Sequence, residues 1–132
     1  MKLKLNTKIA GIGLLFLLSA TLVLHLLIIV GIVPYQIFWG GQLENDAANM
    51  LMMEILAVAV LALFTGIAIL NTYHPSKYRK LAKIGIWIVF AYFLLNTAGN
   101  LSSEQIIEKT VLAPVTFLMS LLSLRLAISR EP

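Results

Sequence analysis

Glu54 is the one carboxylate inside an apolar run of about twenty residues, Asn49 to Leu70 (NMLMMEILAVAVLALFTGIAIL). On insertion scales a charged side chain in such a segment costs about 2.5–3.5 kcal/mol, so it turns inward and finds a partner, which makes it a candidate functional group. The polar residues available to it lie in or beside three other apolar runs: His25 in the first, Asn96 and Asn100 at the end of the third, and Glu108 at the start of the fourth. A carboxylate and an imidazole within reach of one cavity can pass a proton, so Glu54 and His25 have the side chains for acid–base work. The same oxygen-rich set suits a cation. It also suits a hydrogen-bonded latch that keeps helices in register, because an amide or carboxylate in hydrocarbon must be satisfied by another helix.

The elements that must position these groups are four helices, at about residues 9–33, 49–70, 84–98 and 105–128. The run 49–70 is long enough to cross a hydrocarbon core of roughly 30 Å. With 60% hydrophobic and 12% charged residues and a mean hydropathy of +0.93, the chain is far more apolar than a globular average of about 45–50% apolar and 25% charged. The expected fold is all-α: a polytopic four-transmembrane-helix bundle in which residues 1–132 form a single membrane domain. The cysteine count is zero, which removes thiol redox chemistry, thiolate metal sites and cysteine nucleophiles together. No metal and no cofactor is expected. The formal charge of +4 comes from basic residues that flank the spans, where they fix orientation, so nucleic acid is not an expected partner.

Lys2, Lys4 and Lys8 lead into the first run, which exceeds the 7–15 apolar residues (about) of a signal peptide and reads as a retained helix. Gly11, Leu14, Leu18, Thr21 and His25 share one face of it at helical spacing. Pro34 ends it, and Tyr35 and Trp39 read as an interfacial aromatic belt, with Gly40-Gly41 as a turn. In the second helix Val58, Leu61 and Thr65 share the face of Glu54; in the third Gly85, Tyr92, Asn96 and Gly99 form a stripe, with Asn100 one turn beyond Asn96. Ser103 followed by Glu104 and Glu108 suits a helix start. Pro114 should kink the fourth helix and free the carbonyl of Thr110, above a small polar stripe of Thr116, Ser120 and Ser123.

Charge sets the expected topology. Lys2, Lys4, Lys8, Lys77, Arg79, Lys80, Lys83, Arg125 and Arg130 fall on one side of a four-span arrangement and only Lys109 on the other. Both termini are therefore expected in the cytoplasm, with the protein in the cell inner (plasma) membrane. Glu44, Asp46, Glu54, Glu104 and Glu108 gather at or near the opposite side. At 1.5 Å of rise per residue, His25, Glu54, Asn96 and Glu108 all fall in the outer half of the bundle. An extracytoplasmic pocket lined by His25, Glu54, Asn96, Asn100 and Trp39, with Glu108 nearby, is the natural inference. The strong charge bias and the lack of a carboxylate in the first helix count against small multidrug exporters.

The combination of WGG at Trp39 to Gly41, Glu54 within the second helix, LNTAGN at Leu95 to Asn100 and EKTVLAP at Glu108 to Pro114 resembles a loose pattern in small uncharacterised four-helix integral membrane proteins of bacteria. That resemblance implies the architecture and no activity. Three functions stay open: binding or transport of a small apolar or amphipathic molecule or a cation; a membrane enzyme using Glu54 and His25 on a lipid-like substrate; and a structural or accessory subunit, as a homo-oligomer or docked on a larger membrane partner. Membrane lipid is a partner in each.

Overall fold

The computed structural model describes residues 6–35, 47–73 and 79–129. Among the described residues four helices are long and apolar enough to cross a membrane: α1 (Thr7–Ile29), α2 (Ala47–Tyr73), α3 (Arg79–Ser102), and a fourth that begins as a π-helical turn, Glu108–Leu112, and continues as α4 (Ala113–Ala127). The side chain of Asn6 caps α1 by accepting from the Lys8 N–H at 2.7 Å. α1 ends at Ile29, four residues before the expected limit, because Gly31 takes φ +86°. Gly31 N–H then bonds Ile28 O at 3.1 Å and Ile32 N–H bonds Leu27 O at 3.0 Å, the paired closure by which a left-handed glycine terminates a helix. α3 begins at Arg79, so the basic residues Arg79, Lys80 and Lys83 belong to its first turns instead of a loop.

Successive helices pack antiparallel, and α4 returns to α1 to close the ring. Leu14 and Leu18 of α1, Leu61 and Phe64 of α2, Ile86 and Phe93 of α3 and Met119 of α4 fill the centre. Phe64 meets Phe93 and Tyr92 edge to face, with ring centroids 5.9 and 5.0 Å apart, an arrangement that places positive ring edges on negative ring faces. The buried stripe of α3 is Ala82, Ile86, Val89, Phe93, Thr97 and Asn100, with Gly85. Tyr92, Asn96 and Gly99, expected to share the inward face with Gly85, are exposed. One residue is a rotation of about 100° on a helix, and the helix turns so that Phe93, without a polar tip, takes the core.

The end that carries the basic residues is fastened by polar contacts. Lys83 Nζ donates to Leu126 O at 2.8 Å and Ser129 O at 2.9 Å, placing a cation against carbonyls at the C-terminal end of α4, where the helix dipole favours it. Asn71 Nδ2 donates to Ala82 O at 2.9 Å, tying α2 to α3. The Lys8 ammonium lies 5.1 Å from the Tyr73 ring centroid, within cation–π range. The outward faces are as apolar as the interior: Phe16, Leu95 and Ile106 are 71%, 74% and 77% exposed.

Gly11 of α1 packs directly against Thr72 of α2. A Cβ there would lie 2.1 Å from Thr72 Oγ1, so only glycine admits the contact, as small residues do where helices pack in membranes. Gly11→Ala should cost about 1–3 kcal/mol through overpacking, and adding Thr72→Ala should recover most of it. Thermal or denaturant unfolding in micelles measures both, and an unchanged single variant would refute the contact.

Candidate functional site

The polar groups singled out by type converge between all four helices at the end opposite Lys83. His25 Nδ1 of α1 is hydrogen-bonded to Glu54 Oε2 of α2. Glu54 is fully buried, and the imidazole is about one fifth exposed, 22%. The antiparallel pairing explains the meeting, because His25 lies in the last turns of α1 and Glu54 in the early turns of α2. A buried ion pair is strongly destabilised by loss of one partner, since the remaining charge is left uncompensated.

A cavity of about 120 Å³ lies beside this pair. α1 contributes Thr21, His25 and Ile28; α2 contributes Ala57 and Leu61; α3 contributes Tyr92, Phe93, Asn96 and Asn100. Glu108 and Leu112 of the π turn and Thr116 of α4 complete the wall. Glu54, expected to line the pocket, reaches it through His25, because its own side chain is sealed behind the imidazole. Asn100 is buried, whereas Asn96 is an exposed residue at the rim. Trp39, Glu44 and Asp46 lie outside the described residues.

The π turn places Glu108. Pro114 has no N–H and its ring would collide with the Thr110 carbonyl in a regular α-helix. The chain widens by one residue instead: Ala113 N–H bonds Glu108 O, five positions back. Such bulges occur frequently at functional sites. The kink expected at Pro114 is thus expressed as a π turn N-terminal to it, one that leaves Glu108, Leu112 and Thr116 all on the cavity wall. Ser103 Oγ donates to Glu108 Oε1 at 2.7 Å and accepts from Gln105 N–H at 3.0 Å, so the serine both starts the helix and orients the carboxylate.

A second polar seam closes the cavity on the α3–α4 side. Thr97 Oγ1 and Thr116 Oγ1 share a hydrogen bond of 2.9 Å, and Asn100 Nδ2 approaches Thr116 Oγ1 at 3.5 Å. Thr97 was not singled out in the sequence, although its place three residues before Asn100, on the same helix face, is the available signal. Ser120 and Ser123 are buried as the small polar stripe implied, each returning its hydroxyl to a backbone carbonyl of its own helix.

Family models, curated proteins and solved structures offer no match to this chain. The chemistry of the wall is therefore what indicates a function. Among the described residues no lysine or arginine lines the cavity; Lys109 turns instead to an apolar groove between α3 and α4. Hydroxyl, amide and carboxylate residues line the space, beside the aromatic Tyr92 and Phe93. No trio of His, Asp or Glu side chains converges as a metal would need, among the described residues.

His25→Leu should destabilise the protein by about 3–5 kcal/mol by leaving Glu54 buried without its partner. The double variant His25→Leu, Glu54→Leu should be more stable than the single one. Unfolding in micelles tests the order of the two, and equal stability would refute the cost assigned to a buried Glu54 that has lost the imidazole.

Proposed function

We propose that this is a multi-pass integral membrane protein, with both termini cytoplasmic, that binds or transports a small cationic molecule in a cavity open toward the extracytoplasmic side of the inner (plasma) membrane. The apolar outward faces support insertion, because a helix that is hydrophobic all round is buried in protein or lipid. The basic residues at one end, Lys8, Arg79, Lys80, Lys83 and Arg125, support the orientation. The observation that carries the ligand class is the cavity wall itself: a carboxylate from Glu108, the carboxylate-backed imidazole of His25, two amides and two aromatic rings, with no lysine or arginine on it among the described residues.

Size narrows the class. An apolar cavity of about 150 Å³ accepts benzene, so about 120 Å³ suits an ammonium ion bearing a short apolar substituent. Its charge would be met by carboxylates and by the ring faces of Tyr92 and Phe93, which attract cations. A whole lipid is larger than about 120 Å³, which weighs against the enzyme alternative. A latch without a ligand would leave its polar groups filling the space between them, and the cavity weighs against that.

A thermal-shift titration of the purified protein with n-butylammonium chloride should raise Tm, and Glu108→Gln, which removes the carboxylate on the wall, should reduce the increase. An equal shift with sodium chloride would overturn the ligand class. The absence of cysteine makes topology testable with single introduced thiols. Glu104→Cys should react with an impermeant maleimide in intact cells and Lys80→Cys only after lysis; the reverse pattern would overturn the orientation.

A further inference from the structure

We infer that cation binding in this cavity displaces a proton from the His25–Glu54 pair, so that the protein exchanges one small ammonium ion for one proton. The inference rests on the cation reading of the cavity. The contact between Nδ1 and Oε2 needs a proton in either state of the pair. With that proton alone the pair has a neutral imidazole beside a carboxylate and a net charge of −1. With a second proton, at Nε2, it is an imidazolium carboxylate of net charge zero. Both states keep the hydrogen bond between α1 and α2, so the charge can change without separating the helices.

The cavity wall sees this change directly, because His25, and not Glu54, faces the space. An ammonium ion brought beside an imidazolium would meet a like charge in a poorly solvated site, where repulsion is strong. Beside the neutral imidazole and its carboxylate it meets a net negative wall. The exchange is balanced: the imidazolium carboxylate plus an ammonium ion from solution gives the neutral imidazole, the carboxylate and the bound ammonium, and the Nε2 proton leaves to solvent. The titratable groups that face His25 are Glu54 from α2, Tyr92 from α3 and Glu108 from the π turn before α4. Of these, Glu54 is hydrogen-bonded to it directly, and Glu108 accepts a hydrogen bond from Ser103 at 2.7 Å.

Linkage then fixes the pH dependence, since a ligand that displaces one proton binds about tenfold more tightly for each unit of pH while the pair remains protonated. The decisive experiment is calorimetric titration of the detergent-solubilised full chain with n-butylammonium from pH 5 to 9, in buffers of different ionisation enthalpy. The expected result is release of close to one proton per cation at the acidic end, a tenfold gain in affinity per pH unit there, and a plateau above. Glu108→Gln should weaken binding and keep the slope, whereas Glu54→Gln should flatten it. Affinity independent of pH in the unaltered protein would overturn the exchange and leave the cation site standing. Absence of binding at every pH would overturn both. Should Glu54→Gln not fold, loss of the slope in Glu108→Gln would move the exchanging proton to Glu108 and overturn its assignment to the pair.

Discussion

The contact between His25 and Glu54 is the constraint on which the rest of the site depends. A carboxylate with no exposed surface persists in an apolar interior only when another group meets its charge and its hydrogen-bonding capacity. The imidazole does so from the neighbouring helix, which fixes the axial register of α1 against α2. Once that register is set, Gly11 falls opposite Thr72 at the far end of the same helix pair, where nothing larger than a hydrogen could stand. One polar contact and one steric contact, about four turns apart along α1 on either side of the core residues Leu14 and Leu18, thus define a single interface.

The other half of the bundle joins its helices mainly through hydroxyl and amide groups. Thr97, Asn100 and Thr116 share hydrogen bonds across α3 and α4, and Ser103 satisfies Glu108. Hydroxyls also return to the backbone, as Thr97 does to Phe93 O at 2.8 Å. Such bonds need no charged partner, so α3 and α4 are joined without the desolvation of an ion pair. The cavity lies where these two seams face one another: the His25–Glu54 pair on the α1–α2 side and the Thr97–Asn100–Thr116 seam, with Glu108, on the α3–α4 side.

The number of helices and their approximate spans are legible in the sequence because long apolar runs admit few alternatives in a membrane-like composition. Glu54, His25, Asn100 and Glu108 are legible as inward-facing for the same reason: each is a polar group within or at the end of an apolar run. Helix ends are less so, since the stop of α1 depends on Gly31 adopting a positive φ, and the sequence up to Val33 continues apolar. The exact face of α3 is also hidden. Tyr92 and Phe93 are adjacent aromatics of similar size, and choosing between them requires knowing what Phe64 offers from α2. The order of helices around the ring depends on packing between side chains far apart in sequence, which hydropathy does not encode.

Pro114 shows how a local backbone defect becomes part of the site. A proline in the interior of a helix removes one hydrogen bond and crowds the carbonyl four residues earlier, and in a lipid-like environment each freed backbone group is expensive. The widened turn from Glu108 to Leu112 answers this by moving the bond to the fifth residue back. It therefore relieves the proline and orients an acid with one rearrangement. If the proline were replaced by alanine, the missing donor would return and a regular α-helical turn would become available. Glu108 would then rotate relative to Thr116, whose side chain is held by Thr97 and Asn100. The acid's position on the cavity wall thus depends on a residue that does not itself line the cavity.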